Sequence, residues 1–316
     1  MNLRGTQFTL RWRLGTALAV LMLLLLMSGS RVSAAPAKAQ MRFETPEAAV
    51  EVLRTALKNN DESTLLDLFG REYADRLFVK DKAAAREGRQ RLYQATEEGL
   101  TLRNDTADLV VLVFGKNAWP FPIPLIRSGN DWRFSTAVGV EEILNRQIGA
   151  NELNGIQVCR AYLTAQRQYA GKIRDGSGVR KFAQRIISSA GKQDGLYWDP
   201  ALAGGEESPF GPLVAEFLSR GRKAPDPYHG YYFRILTRQG SRAPGGEYNY
   251  VINGNMIAGF ALVAFPAEYG KTGIMTFLVS HHGKVLQKDL GPKTRRIASQ
   301  MKAYNPDSTW AEVKEQ

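Results

Sequence analysis

The sequence predicts an α+β fold made of two parts that follow one another along the chain. In each part, helical hydrophobic patterns come first and strand patterns follow, so helices and strands are segregated rather than alternating. The length of 316 residues favours about two domains. Hydrophobic residues make up 44% of the chain and aromatic residues 10%, which excludes a largely disordered protein.

Residues 1–34 have the order of a secretory signal peptide. Arginines precede an uncharged apolar run, Leu14–Met27, and small residues follow it. The run is shorter than the roughly 20 residues of a good membrane span, and no cysteine is present there for a lipid anchor. We expect export to the periplasm or beyond, with a mature N-terminus between Ala35 and Gln40. The alternative is an inner-membrane anchor formed by an uncleaved signal.

The net charge is modest once the leader is set aside. Four arginines and no acidic residue lie in the leader, so its removal lowers the formal charge from +11 to +7. The remaining basic residues are interleaved with acidic ones, as on solvated helix faces. We therefore expect no nucleic-acid partner, and at most a peripheral attraction to anionic lipid or acidic envelope polymer.

The first part is predicted to start with helices and to end in a meander of strands. Thr45-Pro46-Glu47 is typical of a helix start, and apolar residues follow at a spacing of three to four. The further predicted elements are a short helix over 63–69 ending at Gly70, a helix through 91–97, a strand over 109–114, an edge ribbon over 120–124 and a strand at 132–134 after a hairpin turn.

The second part is predicted to open with the longest helix of the protein, from Asn151 to Ala170, because its apolar residues fall on one face. A long helix followed by an antiparallel meander predicts an α+β module. The further predicted elements are a short helix over 179–189, strands over 231–236, 260–265 and 275–279, and a hairpin turn at His282-Gly283 leading to a last strand at 285–286.

Residues 43–138 resemble the cone-shaped, nuclear-transport-factor-two-like or cystatin-like fold, because helices precede a meander that ends in the strand G-x-x-W-R-F. The resemblance implies a concave sheet, which in such cones often holds a ligand and in some members a catalytic Asp/His pair. Residues 41–150 contain no histidine, so that pair cannot be identified. We expect the aromatic residues here to be core, with a ligand cage as the alternative. They are Trp119, Phe121, Trp132 and Phe134.

Specific motifs run through nearly the whole mature chain. They are WPFPIPLIR (119–127), WRFSTAVGVEEILNRQIG (132–149), NELNGIQVCRAYLTAQRQYA (151–170), GKQDGLYW (191–198), ESPFGPLVAE (207–216), PYHGYYFRILT (227–237), GFALVAFPAEYG (259–270) and GKVLQKDLGP (283–292). Together they resemble the bacterial exported family known as domain of unknown function 2950. The resemblance implies membership and carries over no activity and no catalytic residue, because none is established for that family.

The second part also resembles the globular head of type IV pilin-like proteins. The likeness rests on an N-E-x-x-x-I helix start at Asn151, on G-Y-x-F at Gly230 and on the T-F-x-V hairpin at Thr276. In pilins the membrane helix runs directly into the head helix, whereas here a whole domain intervenes. The resemblance therefore implies a shared head fold and not filament assembly. The expected organisation is a signal peptide at 1–34, a cystatin-like domain at 41–148, a pilin-like domain at 149–304 and a tail at 305–316.

Few residues are candidates for chemistry. His229 lies in a polar, aromatic stretch and could form an acid–base site with Asp194 or Glu207, whereas the alternative is a histidine that fixes a loop by hydrogen bonds. His281 and His282 look like a metal pair, but neighbours on a strand point to opposite faces, so we expect turn residues and no metal.

The remaining motifs give no further catalytic candidate. Cys159 lies on an apolar stripe and is expected to be a buried, unreactive thiol. The sequence contains no phosphate-binding loop, no nucleophile elbow and no H-E-x-x-H helix. We expect no cofactor.

Two classes of function follow from the sequence. The first is a non-enzymatic envelope protein that binds an envelope protein, polymer or small ligand, with the Gly/Pro/aromatic-rich loop from Gly191 to Pro227 as its contact surface. The second is a hydrolase of envelope material that uses His229 with a nearby carboxylate. We favour the binding protein, and the hydrolase is the alternative.

Overall fold

The described residues form two hydrophobic cores, and one long helix contacts both. The computed structural model describes residues 39–78, 80–174, 178–211 and 226–314. The predicted signal peptide lies outside these residues, and so does the part of the predicted contact loop from 212 to 225. Within the described part of the chain, no helix combines the length and the apolar character needed to cross a bilayer.

The first unit, residues 39–134, begins with four helices. Thr45 caps the first of them, since its hydroxyl accepts the N–H of Ala48 at 3.2 Å while Pro46 occupies the first helical position. Aspartates cap the second and fourth helices in the same way. The helices are α1 (Pro46–Lys58), α2 (Glu62–Phe69), α3 (Ala74–Leu77) and α4 (Lys82–Glu98). The predicted helices are confirmed, and α4 is longer than expected.

An antiparallel sheet completes the first unit. Its strands are β1 (Leu100–Thr106), β2 (Leu109–Phe114), β3 (Trp119–Pro120), β4 (Leu125–Ser128) and β5 (Asp131–Phe134). The order is β1-β2-β4-β5, and β3 pairs with the end of β2. Residues of β2 alternate between half-buried and buried, so Val110, Leu112 and Phe114 enter the core. The proline-rich ribbon lies at an edge, as predicted.

The long helix α5 (Thr136–Ala170) has 35 residues and spans roughly 52 Å at about 1.5 Å per residue. Its predicted start at Asn151 was wrong. The first half approaches the first unit closely where Gly139 meets Ile123 and buries few apolar side chains, so it shows no broad apolar stripe. The predicted domain boundary at 148/149 falls inside α5, and the division into two domains stays a prediction.

Each half of α5 is also tied to its unit by polar contacts. Arg146 donates from Nη1 to the carbonyl of Pro120 at 2.8 Å, and its guanidinium lies over the Trp119 ring at 5.5 Å. Further along, one carboxylate oxygen of Glu152 accepts the N–H groups of Ile274 and Met275 at 2.8 and 3.0 Å. These contacts fix both units to the same helix.

The second unit, residues 178–211 and 226–314, contains the larger sheet. Its strands are β6 (Tyr231–Leu236), β7 (Arg238–Gln239), β8 (Tyr248–Asn249), β9 (Val251–Ile252), β10 (Asn255–Met256), β11 (Ala261–Pro266), β12 (Met275–Ser280), β13 (Val285–Asp289) and β14 (Ala311–Glu312). The main sheet has the antiparallel order β14-β13-β12-β11-β6. The predicted strands and their antiparallel order are confirmed. The likenesses to a cone and to a pilin head stay predictions.

Helices cover both faces of this sheet. Tyr231 faces α5, since a methyl group on Gly155 of α5 would lie 3.6 Å from its ring. Arg234 points the other way and donates to the carbonyl of Ala298 at 2.8 Å, at the end of α6 (Thr294–Ser299). β11 is therefore buried along its whole length.

Two segments of the second unit differ from the predictions. The helix predicted over 179–189 does not form, because backbone groups of this segment bond to other parts of the chain. Phe182 N donates to Met256 O at 2.8 Å. The buried side-chain amide of Gln166 donates to the carbonyl of Ala183 and accepts its N–H. The predicted tail at 305–316 contributes β14, which pairs with β13.

Two glycines of α5 test how the helix is packed. A methyl group at Gly139 would lie 2.5 Å from Ile123 Cγ1, whereas one at Gly149 would meet nothing within 4 Å. We expect Gly139→Ala to lower the free energy of unfolding by about 1–3 kcal/mol through overpacking. Gly149→Ala should raise it by about 0.5–1 kcal/mol by removing a flexible residue from a helix. Denaturant titration measures both, and equal effects would contradict the packing.

Candidate functional site

Among the cavities that the described residues line, an apolar one in the first unit and a polar one in the second are candidate ligand sites, and a third of about 680 Å³ lies at the surface beside Arg160 and Lys284. The apolar cavity, in the first unit, has a volume of about 690 Å³. Its walls are Leu53, Leu57, Leu65, Phe69, Phe121 and Ile143. The helix α4 faces it with small residues, Ala84, Ala85 and Gly88, and a methyl group on Gly88 would meet nothing within 4 Å. These three positions leave space beside the helix, while Arg89, Arg91 and Leu92 of the same helix line the rest of this side.

Two arginines bring charge to the apolar cavity. Arg89 is buried, and its Nε donates to Asn60 Oδ1 at 2.5 Å while its Nη1 lies 3.3 Å from a Glu62 carboxylate oxygen. Arg91 is exposed and lies 3.5 Å from Glu87, one helical turn away. Exposed pairs of this kind are held weakly. The cavity thus has an apolar interior and one available cation at its rim.

The polar cavity, in the second unit, has a volume of about 800 Å³ and lies between the end of α5 and residues 181–203. Arg174 forms part of its wall, with its guanidinium over the rings of Tyr169 at 4.8 Å and Trp198 at 5.3 Å. One of its nitrogens lies 3.6 Å from Glu206. This cavity mixes aromatic rings with hydrogen-bonding and charged groups.

Asp194 lines the polar cavity. Its carboxylate accepts the N–H of Ser189 at 2.7 Å and the hydroxyl of the same residue at 2.8 Å. Burial alone would raise the pKa of this carboxyl, but the bonds from Ser189 and the nearby Arg185 bring the pKa below its ordinary value. A carboxylate with a lowered pKa is a weaker base. The hydrogen bonds to Ser189 therefore indicate that Asp194 stabilises the loop rather than transferring protons.

His229 occupies a tight turn. Tyr228 and Tyr231 exchange two backbone hydrogen bonds of 2.9 Å, and His229 and Gly230 between them have φ values of 45° and 74°. Positive φ at both central positions is the requirement of a type I′ hairpin turn. The Tyr228 ring lies edge-on to the imidazole at a centroid distance of 4.3 Å.

The predicted catalytic residues come from three separate segments. Asp194 lines the polar cavity, but neither His229 nor Glu207 is among the described residues around it. Glu207 is exposed. The acid–base site stays a prediction.

His281 and His282 lie in the turn after β12, with ring centroids 4.1 Å apart. Their predicted place in a turn is confirmed. The expectation that their side chains point to opposite faces was wrong, because strand alternation ends where the turn begins. Burial and the neighbouring His282 lower the pKa of His281. Among the residues that the structure describes, no group of three or more His, Cys, Asp or Glu side chains could hold a metal ion.

The remaining sequence expectations concern buried residues. Cys159 is fully buried, as predicted, and burial raises the pKa of its thiol to about 12. Phe121, Trp132 and Phe134 are buried, but Trp119 is 40% exposed, so its assignment to the core was wrong. Trp119 instead lines the apolar cavity beneath Arg146.

The apolar cavity was missed by sequence reasoning. The sequence feature that accompanies the cavity is a set of small residues on one face of α4, Ala84, Ala85 and Gly88. Large apolar residues are usual on the core-facing side of a helix. Small residues on a helix face are common for other reasons, so the pattern becomes informative only once the opposite wall is known.

A family model described as "Protein of unknown function (DUF2950)" matches residues 40–313. No curated protein and no solved structure gives a significant match.

A substitution at the turn separates a structural from a catalytic His229. Asparagine adopts positive φ readily, so we expect His229→Asn to keep the melting temperature or raise it slightly. The control His229→Val places a β-branched residue in the same conformation and should destabilise by about 1–3 kcal/mol. Thermal unfolding followed by circular dichroism measures both. A stable His229→Asn protein that loses its cellular phenotype would contradict the structural role.

Proposed function

This chain belongs to the DUF2950 family of proteins of unknown function, and we propose that it is an exported, non-enzymatic binding protein of the cell envelope. Its ligand is an aliphatic chain with an anionic head group, held in the apolar cavity. The single observation that carries the proposal is that cavity, about 690 Å³ of space that is open to solvent on one side and lined on the other by core residues of the first unit.

The cavity opens to solvent past exposed residues of its rim, such as Ala84 and Trp119. Apolar side chains that face water there would be more stable if an apolar ligand covered them. Larger side chains at Ala85 or Gly88 would fill the space, and a methyl group on Gly88 meets no obstacle. A core that keeps such a space beside Leu53 and Leu57 is well suited to receive an apolar ligand.

The lining favours an aliphatic ligand over a polar one. Leucine and isoleucine side chains make up much of the wall, and burying each methylene of a ligand there contributes about 0.8 kcal/mol. The polar atoms of Arg89 are directed to Asn60 and Glu62, so they do not require a ligand. Arg91 at the rim forms an exposed ion pair with Glu87, and it can instead bind the carboxylate or phosphate head group of a ligand.

Export is proposed from the sequence of residues 1–34, with its basic start, short apolar run and small residues. A binding protein for aliphatic ligands fits the envelope, where acyl chains must pass through water between membranes. N-terminal mass spectrometry of the natural protein is the direct check on removal of the leader.

The hydrolase has less support than the binding protein. Asp194 already accepts two hydrogen bonds from Ser189, and His229 sits in a tight hairpin turn. An acid–base pair must reach the same substrate, and the described lining of the polar cavity includes Asp194 but neither His229 nor Glu207.

Two alanines on α4 test the binding site. Ala85 is half-buried and lines the cavity, whereas Ala83 is exposed and is not part of the described lining. We expect the protein to bind hexadecanoic acid and Ala85→Leu to weaken that binding by at least about tenfold, or about 1.4 kcal/mol, because the leucine occupies the ligand's space. Ala83→Leu is the matched control and should bind as the natural sequence does. Isothermal titration calorimetry measures all three.

The head group is tested separately with Arg91→Gln. This change should weaken binding of hexadecanoic acid but not of hexadecanol, which has no negative charge. Absence of binding to both ligands by the natural sequence, or equal binding by Ala85→Leu, would contradict the proposal.

A further inference from the structure

We propose that the polar cavity of the second unit is a second binding site and that its ligand is an uncharged saccharide. This inference is independent of the aliphatic site, since the two cavities share no lining residue. It rests on three features of the polar cavity, which are a braced wall, aromatic rings beside hydrogen-bonding groups, and compensated charge.

The wall of the polar cavity is held by backbone bonds. Ser188 N donates to Tyr197 O, and Tyr197 N donates to Ile186 O, both at 2.8 Å. The Tyr169 hydroxyl donates to Gln193 O at 2.7 Å. At Gly195 a methyl group would lie 2.7 Å from Ser188 N, so only glycine permits this close approach. A wall fixed in this way loses little entropy when a ligand binds.

Aromatic and polar groups both line the cavity. Phe182 and Tyr197 are half-buried and line it, so part of each ring surface stays accessible. Beside them, Ser188, Lys192 and Asp199 supply a hydroxyl, an ammonium group and a carboxylate. A sugar ring has C–H faces that pack on aromatic rings and hydroxyl edges that both donate and accept hydrogen bonds. The mixture therefore matches a saccharide better than a purely aliphatic ligand.

The charges around the cavity nearly cancel. Its lining holds three basic and two acidic side chains, which are Arg174, Lys181, Lys192, Asp194 and Asp199. The charge of Arg174 is also partly balanced by Glu206, which lies 3.6 Å away. Lys181 donates to the side chain of Asn255 at 3.0 Å. With little net charge, the site has no strong preference for a phosphate or another anion, and an uncharged ligand fits it best.

The experiment uses the mature protein and two neutral probes, chitotriose and maltotriose. We expect at least one of them to bind, with a change in tryptophan fluorescence because Trp198 lies in the cavity wall. Raising the salt concentration should leave the affinity within about twofold, since screening does not act on an uncharged ligand.

Variants of Tyr197 identify the site. Tyr197→Ala removes the ring and should weaken saccharide binding by about tenfold or more, whereas Tyr197→Phe keeps the ring and most of the affinity. Tyr232 is a matched control, because it is also half-buried but packs with Phe265 and under Arg295 elsewhere in the second unit. Tyr232→Ala should leave saccharide binding unchanged.

Three outcomes would overturn the proposal. One is that neither trisaccharide binds. Another is that Tyr197→Ala binds as the natural sequence does while its circular dichroism shows a folded protein. Polyphosphate serves as an anionic probe, and salt-sensitive binding of polyphosphate in place of the sugars would also overturn it. Hexadecanoic acid binding by Tyr197→Ala should persist, which keeps this test separate from that of the aliphatic site.

Discussion

The fold depends on the packing of α5 against two separate cores. Gly139 allows the first half of the helix to touch Ile123, and Gly155 allows the second half to approach the rings of Phe277 and Tyr231. The contact at Gly139 is too close for even a methyl group, which would lie 2.5 Å from Ile123, whereas a methyl group at Gly155 would just touch the Phe277 ring at 3.4 Å. Because one rigid helix carries both contacts, the position of each unit is fixed relative to the same axis.

Both cavities are built against this helix. Ile143 of α5 closes part of the apolar cavity, and Tyr169 near its end forms part of the polar one. The two sites also differ in chemistry, since one has an aliphatic wall with a cation at the rim and the other mixes rings, donors and acceptors.

Local signals in the sequence were sufficient for several elements and insufficient for others. The Thr45 cap and the alternation along β2 act within a few residues, so they could be predicted. The start of α5 could not, because its first half buries few residues and its contact at Gly139 depends on Ile123 in another segment. The extended segment near Phe182 could not be predicted either, because it is fixed by a hydrogen bond to Met256. The apolar cavity could not be predicted because its opposite walls come from distant parts of the chain.

The continuity of α5 is tested most directly by a distance between spin labels at residues 138 and 153. Val138 and Leu153 are each 52% exposed, so cysteines there accept labels, while burial protects the native Cys159. One continuous helix places their Cα atoms about 22 Å apart. Pulsed electron paramagnetic resonance should give a single narrow distribution consistent with that separation. A broad distribution, or a clearly shorter mean distance, would show that the helix breaks between the two cores and would contradict the account.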